Sequence, residues 1–151
     1  MTGVQTCALP IYSWGFNLYT NHNYGFSLEY PADLNPQEFA DEDGVTILFE
    51  RENDQGFQIY ITPLDEEGPL TAAAIKQSLP SLKMDNQQEI PIGGAPAVVF
   101  FSNTKSLGKT REAWFIWPES PIPHGNYLYQ VTGYAEFDQT LSQIMATWQF
   151  N

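Results

Sequence analysis

Three acidic turns carry the residue types most able to do chemistry: Asp41-Glu42-Asp43-Gly44, Glu52-Asn53-Asp54-Gln55-Gly56 and Asp65-Glu66-Glu67-Gly68. Hard cations such as Ca²⁺ take clustered carboxylate and carbonyl oxygens, and a glycine lets the loop wrap around them. Asp41 and Asp43 are therefore the candidate metal ligands, and Ca²⁺ the one cofactor the sequence suggests. The spacing departs from an EF-hand, since Gly44 stands fourth in its run rather than sixth. Acidic runs closed by glycine are also what ordinary β-turns look like, so solvated turns are the default reading. His22 and His124 are the only histidines. Each falls in a turn-rich stretch, and neither belongs to an H-E-x-x-H or similar metal spacing.

Nucleophilic catalysis finds no support. There is no G-x-S-x-G elbow, no serine beside a plausible base and no glycine-rich phosphate loop. No catalytic residue is named on this basis. Two of the 18 acidic residues could converge for carboxylate-dependent hydrolysis, but no motif selects a pair. The aromatic excess is more informative. Trp114-Phe115-Ile116-Trp117 must alternate between the two faces of a strand. Covered by helices on both sides, these residues are core. With one face open, Trp117, Tyr127 and Tyr129 would make a platform for a sugar, peptide or apolar ligand. Lys105, Lys109 and Arg111 form a small basic cluster, read as a solvated loop with an acidic-partner contact as the alternative.

Composition narrows the partners. Six basic residues against 18 acidic ones give a net charge of −12, which opposes phosphate backbones and anionic membrane surfaces. Mean hydropathy is −0.31, and no run approaches the roughly 18 apolar residues of a spanning helix. Cys7 is the single cysteine, so no disulfide framework is expected.

Strand signals dominate what must position these residues. Residues 16–21 and 24–31 read as aromatic-rich strands about the His22-Asn23 turn, and residues 45–50 and 57–64 as two more. In the last of these, Phe57, Ile59 and Ile61 alternate with Gln58, Tyr60 and Thr62, giving one buried face. Residues 88–94 and 95–103 flank the Gly93-Gly94 turn, and residues 110–118 and 126–135 complete the strands. Residues 31–44 read as a polar loop. A helix is predicted near 70–82, capped by Thr71 and limited by Pro80. A second is predicted near 137–149, where Phe137, Leu141, Ile144, Met145 and Trp148 share one face. The fold class is α+β, an antiparallel sheet with helices packed on it.

Four stretches together carry a resemblance: GFSLEYPADL, IPIGGAPAVVF, TREAWFIWPE with NYLYQVTG, and FDQTLSQIMATWQF. The chain resembles PsbP-like domains over nearly all of residues 12–151, expected as a single domain. The resemblance implies an α/β/α sandwich and an extracytoplasmic address, as in bacterial secreted proteins and lipoproteins. It implies a non-enzymatic binding or accessory module of the cell envelope, with a small carboxylate-dependent hydrolase or a purely structural domain as alternatives. Partners would be an envelope protein or a small ligand, with the chain a monomer. Residues 1–11, MTGVQTCALPI, resemble a translated short-read sequencing adapter instead. On that reading they are non-native, Cys7 is not genuine, and an upstream export signal or membrane anchor is missing.

Overall fold

The computed structural model describes residues 15–51 and 55–151. Residues 1–11 lie outside the described residues. The described residues form the strands β1 (Phe16–Asn21), β2 (Phe26–Pro31), β3 (Asn35–Ala40), β4 (Val45–Arg51), β5 (Gln55–Leu64), β6 (Asp85–Ile92), β7 (Ala95–Thr104), β8 (Gly108–Trp117), β9 (Asn126–Tyr134) and β10 (Gln149–Phe150), with buried and wetter positions alternating most clearly along β2, β5 and β9. They form two antiparallel sheets. Seven strands run in the order β3-β4-β5-β9-β8-β7-β6, and three in the order β1-β2-β10.

The core lies between the sheets. Phe26 and Leu28 of β2 meet Ile47, Phe49, Ile59, Ile61, Phe115 and Val131 of the large sheet, all with 0% exposure. Each such side chain contributes about 1.5–3 kcal/mol on burial. Helix α2 (Asp138–Ala146), entered through a 3₁₀ turn at Ala135–Phe137, adds Leu141, Ile144 and Met145 to this cluster. The opposite face of the large sheet carries helix α1 (Ala72–Ser78), whose Ile75 packs on Val98, Phe100 and Trp114. The layers are thus α1, the seven-stranded sheet, and a third layer shared by α2 and the small sheet. The α+β reading holds.

Three boundaries differ from the sequence expectation. Residues 31–44, read as a loop, contain β3. Its burial is almost wholly exposed and Pro36 interrupts its donors, so it shows no hydrophobic alternation. Such a strand is tolerated because β3 is the outer edge of the sheet. Helix α1 spans only Ala72–Ser78 rather than 70–82. Thr71 Oγ1 accepts from Ala74 N–H at 3.1 Å as expected of a cap, and the turn before Pro80 ends the helix. Helix α2 stops at Ala146 because Thr147 intervenes: its hydroxyl donates to Ile144 O (2.6 Å) and accepts from Glu29 N–H (2.8 Å). The chain then extends, and Phe150 pairs with Phe26 in β10.

Candidate functional site

The α1-bearing face of the large sheet is only partly covered. Helix α1 lies over β7 and β8, where its contacts are Val98, Phe100 and Trp114. Register carries the same face onward without a second helix. Ile116 lies opposite Leu128, Leu128 opposite Thr62, and Gln130 opposite Tyr60. Between α1 and this uncovered face runs a groove of about 260 Å³. Its floor is Trp114, Ile116, Leu128 and Gln130; one wall is Ala74, Ile75, Ser78 and Leu79 of α1. The other wall is the chain from Leu64 to Leu70, which brings Glu66 and Glu67 to the rim.

That acidic wall is held from below. The buried Asn126 donates its side-chain amide to Glu66 O at 2.6 Å, and Gly68 N–H donates to Glu119 O at 2.7 Å. The Ser120 hydroxyl donates to the Glu67 carboxylate at 3.3 Å. The wall's backbone is therefore fixed while both glutamates remain exposed. Apolar floor plus carboxylate rim suits a ligand with an apolar body and a polar or cationic end.

Beneath the same face sits a buried carboxylate that sequence reading passed over. Glu112, 5% exposed, accepts from Thr110 Oγ1 (2.6 Å), Thr132 Oγ1 (2.7 Å) and Trp114 Nε1 (3.0 Å). Three donors offset the desolvation of the charge and fix the Trp114 ring in the groove floor.

The aromatic platform takes a different form from the one expected. Tyr129 is 1% exposed and stacks on Phe115 at 5.2 Å, inside the core. Trp117 stacks on Phe150 at 4.6 Å, and Tyr127 meets Tyr24 edge-on at 5.0 Å. All three point to the face that the small sheet covers, where Phe150 of β10 lies against Trp117 and Tyr129 and Tyr24 lies against Tyr127. The aromatic face is core, and the partly open face is the other one, where Ile116 is buried beneath the chain at Gly68 and Leu128 is half-exposed. A sequence signal for this existed: Leu128 and Gln130 alternate with Tyr127 and Tyr129.

Asp41 and Asp43 stand in the β3–β4 turn. Asp41 Oδ1 accepts from Asp43 N–H (2.8 Å) and Gly44 N–H (2.9 Å), so that oxygen serves the turn itself. Among the described residues no group of three or more His, Cys, Asp or Glu is placed to hold a metal. Glu52, Asn53 and Asp54 of the second acidic run lie outside the described residues. His22 and His124 occupy separate exposed turns. Lys109 and Arg111 both lie over the Phe101 ring, at 5.0 and 4.4 Å, and Arg111 Nε pairs with Asp138 at 3.0 Å. The Asp41–Gly44 turn adjoins the face that carries Thr62 and Leu128, since a Cβ on Gly44 would lie 3.0 Å from Thr62 Cγ2. The Tyr60 hydroxyl is raised above the usual tyrosine range, by desolvation first and then by Asp41 and Asp43.

No protein-family model matches the sequence, and no curated protein matches it. Solved structures do. The solution structure of cyanobacterial PsbP (CyanoP) from Synechocystis sp. PCC 6803 superposes with a TM-score of 0.63 at 12% identity, covering 100% of this chain and 99% of that one. The fold is PsbP-like. A crystal structure from Bacteroides thetaiotaomicron VPI-5482 is similar at 18% identity and TM-score 0.49; the match covers 89% of this chain and 48% of that longer one. At these identities the PsbP likeness concerns the arrangement of strands and helices. Among the described residues no helix is long and apolar enough to cross a membrane.

Proposed function

We propose that the chain is a non-enzymatic binding or accessory module of the bacterial cell envelope, acting through the groove beside α1. The observation that carries this reading is the groove itself, an apolar floor of Trp114, Ile116 and Leu128 beneath the rim of Glu66 and Glu67. The polar side chains lining it are those two glutamates, Ser78 and Gln130, with neither histidine of the chain beside Ser78. Such a set orients a ligand without activating a nucleophile. The PsbP-like fold supports an extracytoplasmic address. A net charge of −12 directs binding away from nucleic acid.

Nile red, a neutral apolar dye, tests the groove. Its fluorescence is expected to rise with the wild-type chain and to be lost in Leu128→Glu, with circular dichroism showing both folded. Undiminished fluorescence in the variant would remove the groove from the account. Turnover of chromogenic ester or glycoside substrates that is abolished by Glu66→Gln or Glu67→Gln would replace the binding reading with a hydrolase.

A further inference from the structure

The groove ends at Leu128 and Gln130, but the sheet face that floors it continues. Leu128 lies opposite Thr62, and Thr62 lies at the strand position beside Gly44, one step beyond the Val45–Ile61 pair. Ile116, Leu128, Thr62 and the Asp41–Gly44 turn thus form one row across the sheet. Two interstrand steps separate Leu128 from that turn, roughly 10 Å, which is the length of about three extended residues. Carboxylates stand at both ends of the row: Glu66 and Glu67 at the groove, Asp43 at the turn. The groove, at about 260 Å³, lies below the ~300–1,000 Å³ usual for a drug-sized ligand.

From this geometry we infer that the occupant is an extended peptide segment of a protein partner, with an apolar anchor flanked on both sides by lysine or arginine. The inference rests on the groove being a binding site, and it adds the partner's chemistry. A small apolar amine would satisfy only one of the two acidic ends. A segment of five or six residues reaches both, its anchor seated over the half-exposed Leu128 and its basic side chains at Glu66/Glu67 and Asp43. The chain's net charge of −12, 18 acidic residues against six basic, favours such a segment through long-range attraction as well. Asp41 is already committed to its own turn, so Asp43 is the residue the partner would meet there.

Fluorescence anisotropy with two end-capped, labelled peptides tests this: Lys-Leu-Thr-Leu-Thr-Lys and Glu-Leu-Thr-Leu-Thr-Glu. The lysine peptide is expected to bind at least about tenfold more tightly at low salt, with the difference shrinking as salt rises. Glu66→Gln with Glu67→Gln, and separately Asp43→Asn, should each weaken it about two- to fivefold per carboxylate removed. All three are exposed positions, so these variants keep the fold. Equal binding of both peptides, unaffected by these substitutions, would overturn the inference and leave the groove as a charge-indifferent apolar site. Binding of neither peptide would also overturn it, and the Nile red response would report separately whether the groove binds at all.

Discussion

Trp114 donates its indole N–H to Glu112, two residues earlier on the same face of β8, at 3.0 Å. Thr110 and Thr132 donate to the same carboxylate. A buried anion is thereby satisfied by the sheet face that carries it, and the Trp114 ring is fixed as groove floor.

Glu112→Ala would leave three buried donors without an acceptor. The expected loss is about 3 kcal/mol, or about 6–12 °C in Tm for a chain of this size. Glu112→Gln keeps one acceptor oxygen and should cost only about 1 kcal/mol. Urea denaturation of the two variants checks this; equal small losses would show that the three bonds do not hold the site.

Thr147 joins the end of α2 to β2 through Glu29 N–H and Ile144 O. Thr147→Val keeps the shape and removes both bonds. It should destabilise by about 1–2 kcal/mol, with increased amide exchange at Glu29 as its local signature.

Gly93 has φ +59°, and a Cβ there would lie 2.6 Å from Trp148 Cδ1. Gly93→Ala combines backbone strain with displacement of the Trp148 ring and should cost about 2–3 kcal/mol. Gly94, at φ +87° with nothing within 4 Å, carries the backbone cost alone, about 1 kcal/mol for alanine. Thermal melts of the pair should separate them in that order.

Alkaline pH should destabilise the fold. Burial first, and then the bond to Glu38, raises the Tyr19 hydroxyl; burial likewise raises Tyr129. In the unfolded chain both release a proton near pH 10. Above that pH the native state binds more protons than the unfolded state, so stability falls as pH rises. Below pH 10 this contribution is fully present. Absorbance at 295 nm should show at least these two tyrosines ionising late, together with unfolding; eight tyrosines titrating together near pH 10 in a folded chain would contradict the burial.

The hydrophobic strands were legible in the sequence because burial on one face leaves a period of two, as at Phe57, Ile59 and Ile61. Strand β3 was not, since an exposed edge strand held by backbone pairing leaves no such trace. The end of α2 was hidden for a related reason: Thr147 acts through Glu29, 118 residues away. For the site, the sequence marked the acidic turn at residues 65–68 and the aromatic run. The alternation of Leu128 and Gln130 with Tyr127 and Tyr129 separated the two faces of β9, but what covers the aromatic one depends on β10 bringing Phe150 over Trp117 and Tyr129. The groove follows from that placement.

The central claim, that this groove is where the protein binds, is tested most directly by NMR titration with 1-hexanol, a neutral apolar probe. The account predicts saturable shifts at the Trp114 indole N–H, Ile75, Leu79, Ile116 and Leu128. A second cleft of about 150 Å³ lies between β6 and α2, lined by Ile90, Val99 and Met145 among others; shifts confined to it would contradict the account, as would no saturable shift at the groove.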